Sequence, residues 1–153
     1  MSDKPYDCTL DILEHRTKVA VLIYKLVDEL KKRAIHHDES KLSDPVEKEI
    51  FDLWTPELRK APFGSEEYKV CLEAMGEGLQ RHYRANSHHP EHWTNGIRGM
   101  SLIDILEMVC DWKAAAERSG KPVDLDQVTK RFKIDPQLLQ IIYNTLKDME
   151  GLE

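Results

Sequence analysis

No stretch of this 153-residue chain alternates apolar and polar side chains long enough to build a strand, while helix-start signals recur along its length. Asp44-Pro45-Val46-Glu47 puts an N-cap aspartate before a first-turn proline, and Asp135-Pro136 repeats the device. Ser65, Ser101 and Asp124 open three further segments. The expectation is an all-α protein, a bundle of about five to seven helices in one domain spanning residues 1–153.

The spacing predicts a first helix over about Thr9 to Ala34, with an inward stripe of Ile12, His15, Val19, Leu22, Leu26 and Leu30. A second helix carries Val46, Ile50, Phe51 and Trp54 until Thr55-Pro56 interrupts it. A third, capped by Ser65, shows Tyr68, Leu72, Met75, Leu79, His82 and Asn86 along one face. Ser87 to Gly96 reads as a loop, punctuated by Pro90 and Asn95-Gly96. The fourth helix runs from Ser101 to about Arg118. It is apolar nearly all round and should be buried. A smaller element follows Asp124, and a last helix uses Leu138, Leu139, Ile142, Leu146 and Met149.

Composition removes several function classes. A formal net charge of −6 argues against coating duplex nucleic acid, whose affinity comes mainly from phosphate neutralisation. No apolar run approaches the ~20 residues of a membrane span, and Met1 to Pro5 lacks the character of a signal peptide. Cys8, Cys71 and Cys110 are odd in number and far apart. They suit a reducing compartment, so the expected location is cytoplasmic.

Polar groups in unusual places point to the chemistry. Four of the seven histidines fall between His82 and His92, and His15 and His82 continue apolar stripes. On the apolar fourth helix stand Asp104, Glu107 and Asp111. At about 100° per residue, Asp104 and Asp111 lie about 20° apart on that helix. A buried carboxylate costs several kcal/mol unless it is paired, protonated or bound to metal. For Asp104 the alternative is a Ser101-x-x-Asp104 cap or a salt bridge, whereas Asp111 reads as a metal ligand. Imidazole nitrogens beside carboxylate oxygens suit a first-row transition ion.

The dipeptide His37-Asp38 is weak evidence alone. The order His15, His37-Asp38, a histidine cluster and then Asp111 resembles the HD-domain superfamily of metal-dependent phosphohydrolases, over about Ile12 to Arg118. Locally the text is similar to the branch that hydrolyses cyclic dinucleotides. His37-Asp38-Glu39-Ser40-Lys41 has its lysine three residues after the aspartate, and His88-His89-Pro90-Glu91-His92-Trp93-Thr94-Asn95-Gly96 loosely matches a second motif. Pro90 splits that motif, and the Gly-Tyr-Pro tripeptide after the turn is missing. The whole chain also resembles a small uncharacterised family of phage and bacterial HD-like proteins.

The resemblance implies His15, His37, Asp38 and Asp111 as core ligands, with His82, His88 and His89 as candidates for a second ion. One or two divalent ions are implied, Fe, Mn, Co or Ni rather than structural Zn, since no thiolate joins the cluster. The implied activity is cleavage of a phosphate ester, on a nucleotide or related small molecule, by metal-activated water. Asp38 and Lys41 would be catalytic. Lys41, Arg81 and Arg84 would meet phosphate, with His92 and Trp93 beside a base. Trp93 reads equally as a loop anchor. Asp104, Glu107 and Asn86 would stand behind the ligands. Other readings of the same residues are a cyclic dinucleotide phosphodiesterase, a dinuclear-iron oxygenase and a non-catalytic binding module fixed by metal.

Overall fold

The computed structural model describes residues 6–151. It is all-α: α1 (Thr9–His36), a single turn α2 (Ser40–Ser43), α3 (Pro45–Lys60), α4 (Glu66–Ala85), α5 (Leu102–Arg118), α6 (Leu125–Phe132) and α7 (Pro136–Glu150). Short 3-10 turns occupy Pro90–His92 and Gly96–Gly99, and the described residues contain no strand. The all-α expectation therefore holds.

The chain divides into two compact units, residues 1–36 and 37–153. The first consists, in its described part, of α1 and the short lead into it. None of the residues of α1 is buried; Ile12, Val19, Leu22 and Leu26 of the predicted inward stripe are exposed, and so is His15 among them. A lone helix has nothing within its own unit to bury a stripe against.

The second unit has two apolar clusters. Met75, Leu79 and Tyr83 of α4 pack with Ile50, Phe51, Trp54 and Leu58 of α3. Val109 of α5, Val128 of α6, Ile134, and Ile142 and Leu146 of α7 form the other. Gly78 lets α3 and α4 approach closely, because a Cβ there would fall 2.6 Å from Ile50. Gly76, at φ 48° and ψ −122°, kinks α4 in a conformation that side-chain-bearing residues resist.

Local chemistry explains the starts. Asp44 accepts from the Val46 and Glu47 amides, Ser65 from Tyr68, and Asp135 from Gln137 and Leu138. Ser101 and Asp104 form a reciprocal capping box on α5, the structural alternative read for Asp104. One boundary differs from expectation: α3 passes through Pro56 and ends at Lys60. Proline removes one amide donor there, and the packing of Trp54 and Leu58 on either side carries the helix across it.

Candidate metal centre

The segment after α1 turns sharply at Asp38, whose φ of 56° is left-handed. Aspartate tolerates that region better than most residues. The turn is closed by the Lys41 amide donating to the Asp38 carbonyl at 3.0 Å. Lys41 Nζ then lies 2.5 Å from Asp38 Oδ2 and over the Phe51 ring at 4.6 Å. Asp38 Oδ1 points the other way, 3.4 Å from His82 Nε2 and 3.6 Å from His88 Nε2.

Three elements bring the rings together. His82 projects from the last turn of α4, and Asn86 caps that helix. His88 and His89 precede the turn opened by Pro90. That loop is pinned by Trp93 Nε1 donating to the Ser87 carbonyl at 2.9 Å and by His92 Nδ1 donating to the Tyr83 carbonyl at 2.9 Å. From α5 come Glu107 and Asp111.

Behind the rings stand carboxylates. Glu47, completely buried, takes the Nδ1 proton of His82 at 2.7 Å and the Ser40 hydroxyl at 2.8 Å, both on Oε1. Asn86 Nδ2 spends its two protons on Ser40 Oγ and the His82 carbonyl, each at 2.8 Å, which leaves His82 Nδ1 to Glu47. Glu107 Oε1 accepts from Nδ1 of His37 at 2.9 Å and lies 3.1 Å from Nδ1 of His88.

A neutral imidazole carries one N–H. With Nδ1 held toward a carboxylate, the Nε2 atoms of His82 and His88 present lone pairs, and that of His88 faces Asp38 Oδ1, which also carries lone pairs. His37 Nε2 is 3.6 Å from Asp38 Oδ2 and 3.7 Å from Asp111 Oδ1. Asp38 Oδ1 and His88 Nε2 are buried without a hydrogen-bond partner. Acceptors converging on acceptors at that spacing require a proton or a cation between them. Atoms bound to one ion at ~2.0–2.2 Å lie roughly 3–4.4 Å apart, so the spacing fits a shared ion.

Two groups of potential donors have ligand atoms within 4.8 Å of one another: Asp38, His82, His88 and His89; and His37, His88 and Asp111. The partition differs from the one implied by resemblance, since Asp38 joins His82, His88 and His89, and His37 joins Asp111. The left-handed turn carries an Asp38 carboxylate whose Oδ1 lies toward His82 and His88, while Oδ2 lies beside Lys41 and 3.6 Å from His37 Nε2. His82 and His88 form the closed back of the cluster, at 2% side-chain exposure each. His37 and Asp111 keep 29% and 33% and form its open side.

The ionisation pattern follows the charges. Asp111 and Glu107 accept from His37 and push its pKa up to about 10, so without an ion this ring carries a proton on each nitrogen, the Nε2 proton lying where a cation would otherwise meet Asp111. Burial opposes ionisation of Asp38, but Lys41, His82 and His37 together hold its carboxyl below the usual range. Burial lowers the pKa of His82 and of His89, and the neighbouring rings lower that of His89 further. His89 Nε2 is 2.7 Å from His82 Nε2; since Glu47 holds the other proton of His82, His89 is the donor in that pair.

The other sequence candidates have their own surroundings. His15 belongs to the N-terminal unit. Arg81 pairs with Asp44 at 3.1 Å and Glu77 at 3.4 Å, and Arg84 with Glu77 at 2.6 Å, which are surface partners outside the cluster. Asp104 accepts from Ser87 at 2.7 Å and from the Ser101 amide and hydroxyl, and so joins the loop to the start of α5. His92 and Trp93 tie the loop down, the anchoring alternative for Trp93. Glu47 and Ser40 did not stand out in the sequence. Glu47 occupies the third position of a capped helix, which reads as a capping residue, while its side chain turns into the cluster.

Residues 4–148 match a family described as a family of unknown function, DUF5662. The chain belongs to that family. No curated protein matches the chain, and no solved structure matches it. No helix of the described residues is long and apolar enough to cross a membrane.

Proposed function

We propose that this DUF5662 protein is a divalent-metal-dependent phosphohydrolase that cleaves a phosphate ester of a nucleotide or related small molecule. The observation that supports it is the convergence of potential ligand atoms from Asp38, His82, His88 and His89, beside a second group of His37, His88 and Asp111. Such a set suits Fe, Mn, Co or Ni, with one or two ions bound. An ion held there would supply activation of a water and polarisation of a phosphoryl oxygen.

The chain's own residues supply the rest. Asp38 offers one oxygen to the donor groups and keeps the other beside Lys41. The Lys41 ammonium beside Asp38 Oδ2 would hold a nonbridging phosphate oxygen as a point charge. Phe51 under its tip keeps that side chain in place. The exposed side of His37 and Asp111 gives substrate its approach. Three free cysteines agree with a reducing cytoplasm, where we place the protein.

The test begins with metal analysis of protein purified without an affinity tag. Phosphate release is then screened over mononucleotides and cyclic dinucleotides with Mn, Co, Ni and Fe. Asp38→Ala should abolish release, and Lys41→Ala should lower it by ~10²–10³ with metal content kept. Metal-loaded protein inert on every substrate would remove the phosphohydrolase reading while leaving the metal centre. Loss of metal from Lys41→Ala would refute the separation of roles.

A further inference from the structure

We propose that Glu107 and Glu47 are positioning residues that set the tautomers of the ligand histidines, Glu107 serving both donor groups and Glu47 serving only the one containing His82. The inference rests on the metal reading above. It adds a division of labour that follows from which ring each carboxylate holds.

Glu107 uses a single oxygen for two rings, His37 at 2.9 Å and His88 at 3.1 Å through their Nδ1 atoms. Those rings belong to different sets: His88 appears in both groups of donors, and His37 in the second alone. The carboxylate therefore turns two Nε2 atoms toward the cluster, with the His37 and His88 rings in tilted contact at 4.5 Å. Glu47 holds His82 only, with Ser40 fixing it through a hydroxyl on the same oxygen. His82 appears in the first group alone. A carboxylate behind an imidazole orients the ring, fixes its tautomer and raises its basicity as a ligand, and loss of such a partner typically lowers metal affinity 10–100-fold. Neither glutamate belongs to either group of donors.

The experiment is a calorimetric titration of chelator-stripped, untagged full chain with Co²⁺, followed in parallel by visible absorption. Parent, Glu107→Gln, Glu47→Gln and Ser40→Ala are compared, with circular dichroism as a check on folding. Glutamine keeps the shape and one acceptor oxygen but loses the charge. Glu107→Gln should weaken both ions by ~10–100-fold and shift both sets of cobalt bands. Glu47→Gln should weaken one ion by a similar factor and leave the other within about twofold of the parent. Ser40→Ala should weaken that same ion by less, and it carries the test if Glu47→Gln fails to fold. A glutamate that only supports the fold would lower the unfolding midpoint while both affinities and the bands stay put, which overturns the proposal. A parent that takes up a single ion overturns the division between the two glutamates. A parent that takes up no ion overturns the metal reading itself.

Discussion

Replacing His82 with leucine should destabilise the chelated protein by about 3–5 kcal/mol, and adding Glu47→Met should recover most of that loss. The figure follows from what the ring leaves behind. Glu47 is completely buried, its Oε2 has no hydrogen-bond partner, and its Oε1 receives only the His82 Nδ1 proton and the Ser40 hydroxyl. Without His82 a buried carboxylate keeps one hydroxyl donor. Breaking a buried pair from one side is far more costly than replacing both members by apolar groups of similar volume. For a chain of this length each kcal/mol moves the thermal midpoint by roughly 2–4 °C, so the single variant should melt about 6–20 °C lower.

The assay is urea unfolding followed by circular dichroism in excess chelator, on parent, both single variants and the double variant. The double-mutant cycle isolates the pair from the two separate side-chain effects. Near-equal denaturant slopes are needed for the comparison to hold. The reasoning is refuted if His82→Leu loses less than about 1 kcal/mol, or if the double variant is as unstable as the sum of the singles. The double variant should also bind metal at one site fewer than the parent despite its recovered stability, which separates the roles of these residues in folding and in ligation.

The chelated protein should be most stable near the ordinary histidine pKa of about 6.5. His37 titrates at about 10 when folded, because Asp111 and Glu107 accept from it. Its contribution is therefore complete below 6.5 and is lost as pH rises toward 10. Burial lowers the pKa of His82 and His89, so theirs is present above 6.5 and fades as pH falls. Urea midpoints from pH 5 to pH 10 check this, and stability rising steadily from pH 7 to pH 9 would contradict it. Separately, Gly78→Ala should cost about 1–3 kcal/mol, because its Cβ would meet Ile50 at 2.6 Å between α3 and α4; an unchanged unfolding midpoint would show that the helices yield there.

Helices, caps and the C-terminal apolar cluster were legible because they follow from local rules. Asp44, Ser65, Ser101, Asp124 and Asp135 all cap the helices their spacing predicts. The stripe of Ile142 and Leu146 on α7 is buried as periodicity requires. The stripe of α1 had the same periodicity, yet all of it but the half-buried Leu30 is exposed, since periodicity names a face and not the surface that covers it. At the cluster, residue type marked histidines in loops and carboxylates on an apolar helix. Which residues share a group was not written locally, because His37 and Asp111, or Asp38 and His82, are brought together from distant parts of the sequence.

Glu47 shows the limit most clearly, and it bears on how such a centre is built. In sequence it is one more acidic residue in a helix's first turn, where the helix dipole favours negative charge. In the fold Asp44 already satisfies the first amides of α3, including that of Glu47. The glutamate side chain is thereby free to point inward. It reaches His82 because the close approach at Gly78 brings α3 against α4 one turn before that histidine. A cap, a glycine and a buried acid thus act in sequence to turn one ring nitrogen toward Asp38. None of the three carries a metal signature, yet the orientation of the ligand depends on all of them.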